Sequence, residues 1–196
     1  FLLRRIFSIF KPPLYALILS IIIKIFGISE FSVRLPSVIF GVLSVFLIYL
    51  YGKYAFNNKV GIISAIILSL SSYHIFYSQE ARMYSLLGFL SLASLYHYIR
   101  FRASQNTTDS ILYAVYSILL MYTHYFGIFV IITQNIHYLL FNSNKKGKKW
   151  IFLQAIILLS YLPWIFKFIS RILAIYNEFW IKKSYLLFVF LYPFIY

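Results

Sequence analysis

Apolar residues run through this chain in stretches of helical length separated by short polar breaks, and no stretch alternates with the period of two that a membrane barrel strand requires. The stretches 35–52, 60–77, 83–99 and 150–166 each predict a full membrane span. The stretch 13–26 opens on a Pro-Pro pair, closes at Gly27 and carries Lys24; it is short for a span and predicts an interfacial or re-entrant helix. The stretch 111–141 would extend about 45 Å as one helix at 1.5 Å per residue, too far for one span. Thr123, His124 and Tyr125 interrupt its apolar pattern, so it predicts two short helices meeting at "YTHYFG", 122–127. A backbone break at membrane depth is tolerated only where protein or a watery cavity surrounds it. The chain opens on Phe1 and stops within the apolar run "SYLLFVFLYPFIY", as expected for a piece of a longer protein. The pattern as a whole predicts an all-α, polytopic transmembrane protein with about six or seven membrane helices plus one short interfacial helix. Residues 1–196 read as a single transmembrane domain, with no soluble domain and no internal repeat.

Composition excludes the main alternative. At 62% hydrophobic and 11% charged residues, with mean hydropathy +0.84, a water-soluble domain is improbable and an integral membrane protein is expected. The absence of cysteine rules out a disulfide framework and a thiolate zinc site. The net charge of +14 reports orientation and anionic headgroups in such a protein, so nucleic acid is not an expected partner and the lipid bilayer is. Lys53 and Lys59, Arg100 and Arg102, and Lys145, Lys146, Lys148 and Lys149 crowd three loops whose one acid is Asp109, whereas the loops at 27–35 and 78–82 carry one arginine and one glutamate each. The positive-inside rule therefore places the first set in the cytoplasm and "YSQEAR" outside. Arg4, Arg5 and Lys11, and the basic residues of 167–183, fall on the outer side against that rule, as if they met something anionic there. The acceptor-like Asn106-Thr107-Thr108 falls inside and is discounted as a glycosylation site.

Only four acidic residues are present, and one of them, Glu80, stands beside Arg82 in the outer loop. If Ser78 caps the helix that follows, Glu80 lies in its first turn, where the helix dipole favours a carboxylate. Arg82 is then disfavoured, and since residues two apart on a helix do not face each other it needs a partner from another loop or an anionic ligand. The two residues read equally as a structural interfacial pair or as a site. Lys11, just before the Pro-Pro turn, suits either a snorkelling lysine or a point charge on a phosphate. His124, at the predicted break, suits a proton shuttle, a metal ligand, a donor to phosphate, or a satisfied polar residue at a helix end. His97 and His137 lie near cytoplasmic ends and receive no role.

Three blocks, carrying "KPPLY" with "SEFSVRLPS", then "YSQEARMY", then "YTHYFG", occur in the order and spacing of the GT-C membrane glycosyltransferases, and the chain resembles over 10–140 the branch with protein mannosyltransferases and aminoarabinose transferases. The resemblance implies transfer of a sugar from a polyprenyl- or dolichyl-phosphate donor to a glycan, lipid or protein acceptor on the extracytoplasmic side. It implies that Lys11 contacts the donor phosphate and that Glu80 and Arg82 form the catalytic pair of a second active-site loop. Gln79 and Tyr84 would bind substrate beside them, and His124 with Tyr125 would line the same cavity. The acidic motif that the family places in its first loop, upstream of "KPP", is not among these residues, so this stretch by itself is expected to be inactive. Inversion at the anomeric carbon is expected by analogy. No cofactor is assigned; metal dependence varies within the superfamily, so a divalent metal stays open and no metal ligand is named. Displacing a lipid phosphate from an anomeric carbon needs a base for the acceptor hydroxyl and cations for the leaving phosphate, which agrees with these residue types.

Two other classes remain open on the residues alone. A transporter or flippase of lipid-linked sugars would also place basic residues around a polar cavity, and should show pseudo-symmetric halves. A non-catalytic membrane scaffold would leave the outward polar residues without mutual geometry.

Overall fold

The computed structural model describes residues 12–104, 106–141 and 147–178, and these form eight helices and no strand. They are α1 (Leu14–Phe26), α2 (Glu30–Ala55), α3 (Asn58–Leu70), α4 (Ser72–Gln79), α5 (Tyr84–Ser104), α6 (Thr107–Met121), α7 (Gly127–Phe141) and α8 (Gly147–Glu178). The chain divides into two units, Phe1–Tyr161 and Leu162–Tyr196. Everything that follows concerns the first. In the second, the described residues are helical to Glu178 with Pro163 near their start.

Helix ends follow local chemistry. Gly27 turns the chain out of α1 at φ 76°, a conformation glycine adopts without a Cβ penalty. Two residues on, Ser29 and Ser32 exchange backbone-to-side-chain hydrogen bonds of 3.1 Å in a reciprocal capping box that starts α2. Asn57 caps α3 by accepting from the Val60 amide at 3.0 Å, and Asn106 caps α6 by accepting from the Thr108 amide at 3.1 Å.

Two expected features of the apolar pattern are present and one is altered. The stretch 111–141 is interrupted where predicted, α6 ending at Met121 and α7 starting at Gly127. The short first stretch is α1. The stretch 60–77, however, is not one straight span: α3 and α4 meet at a 61° bend on Ser71. Ser71 is extended and its hydroxyl accepts from the His74 amide, starting a new helix instead of continuing the old one. Clustered serines offer the backbone such local alternatives. By length and apolar composition α2 and the stretch Gly147–Phe166 qualify to cross a bilayer, joined by α3 and α4 if that bent pair counts as one span. The other expected spans are shorter apolar helices, except α5, which is long but carries His97, Arg100 and Arg102.

α2 is the central post, packed against α1, α3, α4 and α5. Its crossing with α3 depends on two glycines. A Cβ on Gly61 would lie 2.6 Å from the Tyr49 carbonyl oxygen and 2.9 Å from the Lys53 nitrogen, and a Cβ on Gly52 would lie 2.9 Å from the Gly61 Cα. Close backbone approach of this kind replaces the hydrophobic drive that lipid removes. Between α5, α6, α7 and α8 a chain of polar side chains runs through the otherwise apolar and aromatic interior. Ser117 meets Ser94 at 2.9 Å, Gln134 donates to Ser94 at 2.9 Å, and Tyr113 donates to Gln134 at 3.3 Å. Gln154 donates to Tyr113 at 3.0 Å, Asn135 donates to Gln154 at 3.0 Å, and the Trp150 indole donates to Asn135 at 3.1 Å. The chain of bonds satisfies groups that hydrocarbon would not.

At the far end of α5 the structure revises the reading of Asp109, which is not a solvated loop charge. It is 3% exposed in the first turn of α6 and accepts from His97 Nδ1 and Arg100 Nε, both at 2.9 Å. His97, given no role by its position, thus ties α5 to α6. His137 likewise is held by Tyr98 at 2.8 Å and Arg102 at 3.1 Å.

Gly61→Val forces apart the α2–α3 backbones and is expected to cost about 1–3 kcal/mol or more. Gly88, whose Cβ position has no neighbour within 4 Å, is the contrast: Gly88→Ala should be neutral or stabilise by about 0.5–1 kcal/mol. Thermal unfolding midpoints of the two variants in detergent check both.

Candidate functional site

The segment between α4 and α5 carries Glu80 and Arg82, and its backbone decides their geometry. Ser78 does not cap the following helix: it is inside α4, donates to the His74 carbonyl at 2.7 Å and presses on Gly41 of α2, where a Cβ would come within 2.8 Å of the Ser78 Cβ. His74 Nε2 lies 3.2 Å from the Gly41 carbonyl, so α4 is docked on α2 through one glycine. Glu80 therefore does not stand in a helix first turn. It ends α4 in an extended conformation, and α5 begins at Tyr84.

That non-helical link also overturns the expectation that Arg82 must find its partner elsewhere. The Arg82 amide donates to the Glu80 carbonyl at 2.7 Å, a tight turn that brings positions two apart onto one side, and Arg82 Nε meets Glu80 Oε1 at 2.9 Å. The arginine side chain is 57% exposed and the carboxylate 27%, so the pair contributes little stability, about 0–1 kcal/mol. Its other carboxylate oxygen is the anomaly: Glu80 Oε2 is buried and has no hydrogen-bond partner among the described residues. An acceptor kept from water and unsatisfied is costly and calls for a missing donor.

Buried serines hold the link at both ends. Ser85 donates to the Tyr77 carbonyl at 2.7 Å and Ser37 of α2 to the Arg82 carbonyl at 3.2 Å, and the Tyr15 hydroxyl of α1 lies 3.0 Å from Ser37 Oγ. Beneath them Tyr15, Leu19, Met83, Leu86, Leu90 and Leu120 form an apolar core that fixes α1, α5 and α6 under the turn.

The second break comes to the same end of the unit. The Leu14 amide, at the first turn of α1, donates to the Tyr122 carbonyl at 3.1 Å, so the Pro-Pro entry and the 122–126 break are joined directly. Within the break the Phe126 amide donates to His124 Nδ1 at 3.1 Å and Thr123 is buried. Tyr84 connects the two breaks: its ring centroid is 4.7 Å from Tyr77 and 6.1 Å from His124, which in turn is 6.2 Å from Tyr125. The structure thus brings Glu80, Arg82, Tyr84, His124 and Tyr125 to one end of the bundle, with Gln79 exposed at the end of α4. Lys11 lies outside the described residues; its neighbour Pro12 is buried. No group of three or more metal-ligating side chains occurs among the described residues.

Tyr15 and Ser37 escaped the sequence reading although both sit inside the blocks that carried the resemblance. A hydroxyl on an apolar helix needs a partner inside the protein, and that was the signal available. An apolar groove of about 520 Å³ lined by Val42, Val45, Phe46, Tyr49, Ala65 and Ser69 runs between α2 and α3, with no carboxylate, cation or imidazole in its wall.

A family model described as dolichyl-phosphate-mannose-protein mannosyltransferase matches residues 10–166, extending past the 10–140 region of resemblance and into α8. No curated protein and no solved structure matches the chain.

Because the ion pair is half in solvent while Oε2 is unsatisfied, Glu80→Gln should shift stability by no more than about 1 kcal/mol in either direction. Thermal midpoints in detergent measure it, and a substantially larger loss would make Glu80 a structural residue.

Proposed function

Since the chain belongs to the dolichyl-phosphate-mannose-protein mannosyltransferase family, and is accordingly a membrane glycosyltransferase of the GT-C type, we propose that it takes a sugar from a polyprenyl-phosphate donor and transfers it to an acceptor hydroxyl on the extracytoplasmic side at the Glu80–Arg82 turn. The observation that carries the site is the buried, unpartnered Glu80 Oε2 beside an exposed guanidinium. One group lacks a hydrogen-bond donor and the other offers cationic charge, and a sugar phosphate with its hydroxyls supplies the complement of both.

In this reading the acceptor oxygen bonds to the anomeric carbon as the bond from that carbon to the phosphate oxygen breaks. The acceptor proton passes to a base and the electron pair leaves with the lipid phosphate. Lys11 and Arg82 neutralise that leaving phosphate, Lys11 as a point charge and Arg82 through its planar fork. Oε2 of Glu80 accepts from a substrate hydroxyl and orients it while Oε1 keeps Arg82 in place. Tyr84, His124 and Tyr125 wall the sugar, with Gln79 at the rim. The lipid tail stays in hydrocarbon while its phosphate reaches the membrane boundary.

Sidedness is supported by where the basic residues gather. Arg100 lies over the rings of Tyr54 and Tyr96 at 5.6 and 5.4 Å, so Lys53 at the end of α2 and Arg100 and Arg102 in the last turns of α5 share one end. Lys149 lies 5.6 Å over Phe101 at that same end. From Tyr84 to His97 along α5 is about 20 Å, which separates this basic end from the Glu80 turn. The positive-inside rule makes the basic end cytoplasmic.

In the intact enzyme, with transfer from a polyprenyl-phosphate sugar as the readout, Lys11→Ala and Arg82→Ala should each lower kcat/KM by about 10²-fold, as expected for a lost charge-assisted contact. Glu80→Gln should lower it by about 10-fold or more without loss of folded protein. Unchanged turnover in all three removes the site. For sidedness, the chain has no cysteine, so Ala81→Cys should react in whole cells with a membrane-impermeant maleimide while Lys148→Cys reacts only after lysis. The opposite pattern places the turn in the cytoplasm.

A further inference from the structure

The Tyr15–Ser37–Arg82 bond chain has a direction that its chemistry dictates. A serine hydroxyl has one hydrogen, and Ser37 spends it on the Arg82 carbonyl oxygen, which can only accept. The 3.0 Å contact between Tyr15 and Ser37 must then run from the phenol to Ser37 Oγ. Each member polarises the next, from α1 through α2 to the backbone of the turn.

Packing does not require those hydroxyls. Tyr15 is 8% exposed among Leu19, Met83, Leu86, Leu90 and Leu120, an environment that a phenylalanine ring of the same shape would fill. Ser37 is fully buried on α2. Two buried hydroxyls thus form a chain from Tyr15 to Ser37 that ends on one carbonyl, and that carbonyl belongs to the residue whose side chain faces Glu80. Both are buried, and the hydroxyl hydrogens of both are spent within the chain of bonds.

We infer that Tyr15 and Ser37 are positioning residues, a buried two-hydroxyl clamp from the start of α1 that holds the Arg82 backbone and thereby sets the Glu80–Arg82 geometry on which the proposed transferase reading rests. Tyr15 also lies next to Leu14, whose amide is bound to the Tyr122 carbonyl. The clamp therefore ties the Pro-Pro entry, the 122–126 break and the charged turn into one rigid unit, and loosening it frees the turn without changing the charges in it. It deepens that reading by assigning how the turn is held, and its test separates the two claims.

The experiment uses the intact enzyme in its membrane, with Met83→Cys, buried at the end of the turn, as a reporter whose labelling requires the turn to open. Tyr15→Phe, Ser37→Ala and the double variant are compared with the reporter alone for thiol labelling rate and for donor KM and kcat. The clamp predicts faster labelling, about two- to tenfold for the loss of one hydrogen bond. It also predicts that the double variant labels no faster than Ser37→Ala alone, because both changes break the same chain. Labelling unchanged in Tyr15→Phe and Ser37→Ala, or additive in the double variant, overturns the clamp. Faster labelling with a raised donor KM upholds both the clamp and the role of Arg82. Faster labelling with donor KM and kcat unchanged upholds the clamp and removes Arg82 from donor binding. Should Ser37→Ala fail to accumulate, Tyr15→Phe, which deletes one oxygen and keeps the ring, decides between faster and unchanged labelling by itself.

Discussion

Backbone groups that leave a helix and are buried in protein have no water to fall back on, and this constraint shapes the end of the bundle that carries Glu80 and Arg82. Two breaks lie there, one between α4 and α5 and one between α6 and α7. Each has its backbone groups taken up by another element: the Tyr77 and Arg82 carbonyls by Ser85 and Ser37, the Tyr122 carbonyl by the Leu14 amide. The breaks are thereby locked to α1, α2 and α5 instead of being loose loops. Against that background, the buried Glu80 Oε2 has no hydrogen-bond donor among the described residues, which is the observation behind the proposed site.

Rigidity elsewhere serves the same end. The Gly52–Gly61 crossing lets α2 and α3 approach backbone to backbone, and Gly41 lets α4 dock on the same face of α2. α2 thus fixes the height and angle at which α4 delivers Glu80. On the other flank, the polar chain from Ser117 to Trp150 joins four helices by bonds that are directional as well as attractive, which specifies one arrangement among helices whose surfaces are otherwise uniformly apolar. The cluster of His97 and Arg100 on the buried Asp109 closes the opposite end of α5 and α6. A site built on such elements can hold Glu80 and Arg82 in a fixed relation even though their own ion pair is too exposed to stabilise it.

The fold class, the helix breaks and the family were legible in particular residues. The apolar stretches marked the helices, Thr123 to Tyr125 marked the break in 111–141, and the "KPPLY", "YSQEARMY" and "YTHYFG" blocks carried the family. The misreadings at the charged turn share one cause: a cap at Ser78 starts the helix at Gln79, five residues before Tyr84, which puts Glu80 in a first turn and leaves Arg82 unpartnered. A polar stretch between two helices gives no periodicity from which to place its boundary, and a shift of that size changes which side chains face one another.

Sequence alone therefore determined that this protein is a bundle of membrane helices of the mannosyltransferase family and that one of its four acids falls beside an arginine between two of them, because apolarity, period and motif spacing are properties of the chain itself. Only the tertiary structure decided that Glu80 faces Arg82, that Asp109 is buried between His97 and Arg100, and that Tyr15 reaches Ser37 across a separation of 22 residues. Each of those depends on which two surfaces meet, and in lipid, where one apolar face packs as readily as another, that choice falls to glycine contacts and buried hydrogen bonds that no local pattern encodes.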